Sequence, residues 1–172
     1  MAEALLRHRL EGRTVDVHVA SAGLRLVGEP ASANGVDVLA ERGLDLSAHR
    51  SRILDRELLE STDLVLAMSR EHLREAVLAQ PDIWPHAFTV KELVRRGEMI
   101  GRRAPGESIE AWLARAHSGR NRPDLLGSSS DDDVEDPIGL SRSAYEKTAD
   151  ELADLVDRLV DLLWPAAAEE SA

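Results

Sequence analysis

The chain has 172 residues, enough for one domain with a substantial core, and carries a formal charge of −11 from 32 acidic and 21 basic side chains. That charge repels a nucleic-acid backbone or an anionic membrane surface, so we expect neither as a partner. The sequence contains no cysteine, which excludes disulfides, thiolate metal sites and a cysteine nucleophile among these residues. No apolar run approaches the roughly 18 residues of a membrane span, and the first residues lack a signal-peptide pattern, so we expect a cytoplasmic protein.

The chain opens on a helical pattern and continues with a strand pattern. Residues 1–10, MAEALLRHRL, combine strong helix formers with leucines along one side, and they predict a helix that no preceding residue caps. Val15, Val17 and Val19 then alternate with polar residues, which predicts a strand that ends near Ala20. In most folds that alternate strands and helices, a strand comes first, so the opening helix is unusual.

Helices and strands continue to alternate in the middle of the chain. The apolar run 63–68, DLVLAM, predicts a strand covered on both faces, and residues 86–90, HAFTV, predict another. Ser69 is placed to cap the helix that follows the first of these strands. Further helices are predicted over 29–46, with Pro30 in the first turn, and over 55–62, 70–80 and 91–97.

The composition changes between residues 98 and 133, where Gly, Pro, Ser and charged residues dominate. We predict one short helix there, over 108–117, and an exposed, mobile loop over 127–133, GSSSDDD. We interpret the segment as an elaborated insertion, so that residues 1–172 form a single domain. A capping box from Ser143 to Glu146 predicts the start of the last helix, whose apolar residues recur at spacings of four and three: Tyr145, Ala149, Leu152, Val156, Leu159 and Leu163.

This order of elements predicts an α/β fold with three layers: a doubly wound, mostly parallel sheet with helices on both faces. Such folds bind ligands at the carboxyl ends of their strands. Asp136, held by the following proline, is a candidate general acid or base, although Asp-Pro is also an ordinary turn. Ser21 follows a predicted strand end, where a binding crevice or merely a tight connection would lie. His49 stands between two arginines, which suits an anion or a solvated surface equally well.

Five pieces of the chain, in this order, resemble the low-molecular-weight protein tyrosine phosphatases, whose fold is shared with one class of arsenate reductases. They are MAEALLRHRL, ASAG, GLDLSAHRSR, DLVLAMSREHL and VEDPIG before a long terminal helix. The resemblance implies that Asp136 is the general acid and base, and that Ser21 and His49 brace the loop that binds phosphate. It implies no metal and no cofactor. The expected substrate is a phosphorylated protein or a small phosphoester.

The family's first strand and its Cys-x5-Arg phosphate loop have no counterpart in these residues, so the resemblance implies a fold lacking its first strand. One explanation is that the true start lies upstream; the alternatives are a non-catalytic pseudophosphatase that binds or regulates, and a likeness of architecture alone. Ile138 and Gly139 stand where family members that act on phosphotyrosine have aromatic residues. Phosphotyrosine, phosphoarginine and small phosphoesters therefore stay open, whereas arsenate reduction ranks lower because it requires further cysteines. The oligomeric state is not predicted.

Overall fold

A computed structural model describes residues 1–13 and 15–165. Within these residues, seven α-helices surround a pair of short strands. The elements are α1 Ala2–Leu10, α2 Ala33–Ala40, α3 Arg56–Glu60, β1 Val65–Ala67, α4 Arg70–Ala79, β2 Ala87–Thr89, α5 Val90–Ile100, α6 Ile109–His117 and α7 Arg142–Leu163, with 3₁₀ helices at Pro81–His86 and Arg122–Leu125. None of the helices in the described ranges is both long and apolar enough to cross a membrane.

The two strands form a parallel pair with helices on both faces. Val65 lies opposite Ala87 and Ala67 opposite Thr89. The larger core is shared by α1, α2, α5, α6 and α7. Leu66 of β1, with Leu64 and Met68 on the same side of the strand, packs against it. Val65 and Ala67 contact a smaller core formed with α3 and α4. The α/β class, the parallel pairing and the double covering of the sheet predicted from the sequence are therefore confirmed.

The larger core is built along α7. Every apolar residue predicted to line one side of this helix is buried, as the spacings of four and three require. Gly97 lets α5 approach α7 closely. A β-carbon at this position would lie 2.8 Å from Leu162 of α7 and 3.0 Å from Trp112 of α6. A side chain at this position would therefore push the two helices apart.

The predicted capping box at the start of α7 is not formed. The helix begins at Arg142, one residue before Ser143, with Ser141 at the N-cap position. Ser143 therefore lies inside the first turn, and Glu146 accepts a hydrogen bond from Arg142 Nε at 2.9 Å instead. The predicted N-cap is therefore two residues too late, and the Glu146 side chain pairs with Arg142 at the helix surface and not with the N-cap backbone.

The strand predicted over residues 15–20 is absent from the described residues. A strand needs a neighbour to accept and donate its backbone hydrogen bonds, yet the carbonyl of Val19 accepts from the Arg7 side chain instead. The helix predicted over 29–46 is shorter than expected. It starts at Ala33, and Pro30 lies outside it, in an isolated antiparallel bridge with Arg50.

The insertion over residues 98–133 contains the predicted short helix, α6, and a 3₁₀ helix. Trp112 of α6 is fully buried, and its indole nitrogen donates to the Gly101 carbonyl at 2.9 Å. The insertion thus contributes to the larger core. That the whole of 1–172 folds as one domain stays a prediction.

Candidate active site

The carboxylate of Glu3, in the first turn of α1, connects three segments of the chain. Its Oε1 lies 2.7 Å from the Arg7 guanidinium, and its Oε2 accepts a hydrogen bond from Ser21 Oγ. His49 Nδ1 lies 3.9 Å from the same Oε2. A carboxylate in the first turn is also favourable to the helix itself, because it faces the positive end of the helix dipole. Ser21 and His49, 28 positions apart in the sequence, are thereby brought to the start of one helix.

Arginine side chains fix the backbone around this carboxylate. Arg7 donates to the Val19 carbonyl through both Nε and an Nη, at 3.0 and 2.5 Å. Arg52 Nε donates to the Ser21 carbonyl at 2.6 Å. The segments that carry Ser21 and His49 also share backbone hydrogen bonds: Gly23 donates to the Arg52 carbonyl and Leu54 to the Gly23 carbonyl, each at 2.8 Å.

Asp136 lies in a tight turn whose neighbouring proline is buried. Its Oδ1 accepts a hydrogen bond from the backbone nitrogen of Ile138 at 3.0 Å, which fixes the side chain against its own turn. Leu140 N donates to the Pro137 carbonyl at 2.9 Å, and Gly139 between them has φ of 78°, a value that favours glycine. Asp136 is exposed. The second carboxylate oxygen, Oδ2, accepts no hydrogen bond from a described residue, and the residue is open to solvent.

The residues just before Asp136 are anchored at the carboxyl end of β1. Val134 N donates to the Met68 carbonyl at 2.8 Å. Asp133 accepts from the backbone nitrogen of Arg70 at 2.7 Å and from that of Ser129 at 2.9 Å. This end of the sheet is where α/β folds bind ligands, so the anchoring places the Asp136 turn at the expected edge.

Asp132 adds a buried ion-pair network to the same anchor. Only 6% of the residue is exposed, and its carboxylate binds Arg70 at 2.7 Å and Arg95 at 2.8 Å. Burial by itself raises the pKa of Asp132, but the hydrogen bonds and charges of Arg95 and Arg70 outweigh it and hold this pKa below its ordinary value. Most of the loop predicted over 127–133 is exposed as expected, but Asp132 is buried, because arginines from α4 and α5 bind its carboxylate. That the loop is mobile stays a prediction.

The structure brings together two of the three residues singled out in the sequence. Ser21 and His49 meet at Glu3, whereas no hydrogen bond or ion pair within the described ranges joins Asp136 to either of them. Glu3 itself was missed. Its only sequence signal is the i, i+4 pairing with Arg7, which is common on helix surfaces. Across residues 1–13 and 15–165, no group of three or more His, Asp or Glu side chains could hold a metal ion.

A family model described as low molecular weight phosphotyrosine protein phosphatase matches residues 1–97, more than half of the chain. The chain belongs to this phosphatase family. This membership confirms the resemblance drawn from five short motifs. Glu3, Ser21 and His49 all lie within the residues that the family model matches.

Curated relatives of this phosphatase family match the chain over different lengths. The low molecular weight protein-tyrosine-phosphatase Etp of Escherichia coli (strain K12) is 40% identical over 84 residues, which are 48% of this chain and 54% of Etp. The chain thus matches only about half the length of that relative. The protein-arginine-phosphatase of Bacillus subtilis (strain 168) is 31% identical over 165 residues, which are 95% of this chain and 87% of that enzyme.

A solved structure of another member of the phosphatase family has the same fold as this chain. The low molecular weight protein tyrosine phosphatase from T. tengcongensis matches with a TM-score of 0.69 and 33% identity. The match covers 94% of this chain and 88% of that one. The similarity therefore extends through the insertion and α7, beyond the residues that the family model covers.

Proposed function

We propose that this chain provides the acid and the supporting residues of a phosphatase that acts on phosphorylated protein. The observation that carries the proposal is the convergence of Ser21 and His49 on Glu3 at the start of α1, because the family resemblance assigns phosphate binding to that helix end. Its physical basis is that a helix N-terminus offers unpaired backbone N–H groups to an anion. The family mechanism also needs a thiolate, which is not among these 172 residues, so they alone do not form a phosphocysteine.

In the complete reaction, Asp136 acts twice. The thiolate sulfur attacks phosphorus, and the bond from phosphorus to the leaving atom breaks while the Asp136 carboxyl group gives that atom its proton. Water then attacks the phosphocysteine and gives a proton to the Asp136 carboxylate; the sulfur–phosphorus bond breaks and inorganic phosphate leaves. The turn that holds Asp136 Oδ1 and leaves Oδ2 accessible supports this role.

We assign the substrate as protein phosphoarginine in preference to phosphotyrosine. Ile138 and Leu140, which are 67% and 47% exposed, flank the Asp136 turn, and Leu26 and Val27 are exposed near the Ser21 segment. These aliphatic side chains offer no ring to stack on a tyrosine. The assignment is further supported by the relative of B. subtilis, a protein-arginine-phosphatase that matches 95% of this chain.

The proposal is tested by supplying the thiolate. A strand followed by a Cys-x5-Arg-Ser-Pro loop is fused before Met1, and hydrolysis is measured with p-nitrophenyl phosphate and with matched phosphoarginine and phosphotyrosine peptides. We expect vanadate-sensitive turnover by the fusion, with the phosphoarginine peptide preferred, and none by the 172-residue chain or by the fusion with serine in place of cysteine. Turnover by the 172-residue chain would contradict the cysteine mechanism; a folded but inactive fusion would favour the pseudophosphatase.

The role of Asp136 has its own test in the active fusion. Asp136→Asn removes the proton donor and should slow hydrolysis roughly 10²-fold or more, most strongly for substrates with poor leaving groups. The matched control is Glu135→Gln, an exposed neighbour whose carboxylate lies 3.5 Å from Lys147. If both substitutions have the same small effect, Asp136 is not the acid.

A further inference from the structure

A small apolar groove lies beside the carboxyl end of α4, outside the candidate active site. Val77 and Leu125 form its floor, each only 7% exposed, and Leu78 and Leu126 form its rim, each 70% exposed. We refer to it as the leucine groove. Two large leucines exposed on one concavity leave apolar area in water that contact with a partner would bury.

Two arginines line the leucine groove, and no carboxylate does. Arg74 donates to the Leu125 carbonyl at 3.0 Å, and Arg122 donates to the Pro81 carbonyl at 3.2 Å. Neither takes part in an ion pair with a described residue, and a guanidinium has five N–H donors, so each retains donors for another acceptor. The carboxylate of nearby Asp124 accepts from a backbone nitrogen in its own turn. The residues that line the groove thus carry two positive charges and no negative one, on a chain whose net charge is −11.

The size of the leucine groove excludes most small-molecule ligands. Its volume is about 190 Å³, below the roughly 300–1,000 Å³ of pockets that bind drug-sized ligands. It accommodates one or two side chains. The groove has an apolar floor, exposed leucines at its rim and two arginines that form no ion pair with a described residue. These features suit a short segment of a protein as its occupant.

We propose that the leucine groove binds a short segment of another protein in which a large apolar side chain is flanked by carboxylates. The apolar side chain occupies the space between Leu78 and Leu126, over the floor. The carboxylates pair with Arg74 and Arg122, whose planar guanidinium groups suit carboxylate oxygens. A second copy of this acidic chain fits less well, because two molecules of charge −11 repel each other.

Fluorescence polarisation with the 172-residue chain tests the proposal. The probe is a labelled ten-residue peptide of alternating glutamate pairs and leucine pairs. One control peptide has lysine in place of glutamate, and another has serine in place of leucine. The net charge of the chain favours the lysine peptide, so tighter binding of the glutamate–leucine peptide than of both controls is the expected result. Equal or tighter binding of the lysine peptide would overturn the proposal.

Substitutions then locate the binding. Arg122→Glu and Leu126→Ser change exposed side chains and should each weaken binding of the glutamate–leucine peptide about fivefold or more. Arg102→Glu changes an exposed arginine outside the groove and should change binding less than about twofold; circular dichroism confirms that each variant is folded. An equal loss with Arg102→Glu would overturn the proposal. So would a dimer in sedimentation that Leu126→Ser abolishes, since a second copy would then be the occupant.

Discussion

The amino-terminal region, residues 1–55, and the remaining described residues, 56–165, are held together in different ways. In the first, α1 and α2 pack against the larger core, but arginine side chains such as Arg7 and Arg52 hold the connecting segments by binding backbone carbonyls in place of a strand ladder. In the second, capped helices and a parallel strand pair enclose fully buried side chains such as Phe88 and Trp112. The grouping of Ser21 and His49 thus depends on polar contacts, whereas the Asp136 turn is attached to a packed framework.

The largest expected effect is in the second region, at the buried Arg120. Its side chain is 1% exposed, pairs with Glu92 at 2.7 Å, and has its guanidinium carbon 3.9 Å from the ring centroids of both Trp84 and Phe88. Arg120→Met removes one of the two arginines that bind this largely buried carboxylate, together with both cation–π contacts, and leaves Arg96 at 3.0 Å as its partner. We expect the free energy of unfolding, measured with urea, to fall by about 3 kcal/mol.

Arg158→Met is the matched control for that substitution. Arg158 has two carboxylate partners, Glu98 at 2.7 Å and Asp154 at 2.9 Å, but its side chain is 43% exposed. Solvent screening limits the loss to less than about 1 kcal/mol. Equal losses in the two variants would show that burial is not what distinguishes these ion pairs.

A smaller effect, with a pH dependence, is expected at Asp132. Asp132→Asn weakens the anchoring of the Asp136 turn and should lower the free energy of unfolding by about 2 kcal/mol at pH 7. The pKa of Asp132 is lowered in the folded chain, so its stabilising contribution is complete above the unfolded value of about 3.9 and is lost as pH falls through the lower folded value. The difference between wild type and variant should therefore shrink below about pH 4.

The control for this substitution is the adjacent Asp131, whose side chain is exposed and makes no hydrogen bond or ion pair with a described residue. Asp131→Asn should change the unfolding free energy by less than about 0.5 kcal/mol at any pH. Hydrogen exchange at residues 129–136 gives a second measurement. If exchange there is unchanged in Asp132→Asn, the ion pairs do not anchor the turn.

The sequence predicted best those elements whose signals are local. Ser69 was expected to cap α4, and its hydroxyl oxygen accepts from the His72 backbone nitrogen at 3.2 Å. The apolar side of α7 was likewise evident from its spacing alone. These predictions succeed because capping and helical periodicity involve residues within one or two turns of each other.

The sequence did not reveal contacts whose partners are distant in the chain. Composition predicts an exposed loop over 127–133, and most of it is exposed, but Asp132 is buried and binds Arg70 and Arg95, which lie 62 and 37 positions away. Glu3 and Ser21 are 18 positions apart, and no spacing rule connects them. Ion pairs and hydrogen bonds of this kind depend on the completed fold, so single-sequence patterns do not reveal them.

The smallest effect on global stability is expected in the amino-terminal region, at Glu3. Glu3→Gln removes the charge that binds Arg7 and weakens the bond to Ser21, and we expect the free energy of unfolding to fall by only about 1 kcal/mol. Local stability should change more. The backbone hydrogen bonds of Gly23 and Leu54 hold the Ser21 and His49 segments together, and their amide hydrogens should exchange faster in the variant.

Exchange at Phe88 in β2 provides the comparison, because that strand belongs to the packed framework and should keep its protection in Glu3→Gln. Glu11→Gln is the matched substitution. Glu11 follows the same helix, but its side chain is 72% exposed and, among the described residues, pairs only with His8. We therefore expect faster exchange at no amide beyond the turn that contains Glu11. Faster exchange at Phe88 to the same degree as at Gly23 would mean that the two regions open as one cooperative unit. Faster exchange at Gly23 alone would mean that the grouping of Ser21 and His49 opens independently, as expected of a site held by side-chain contacts to a single carboxylate.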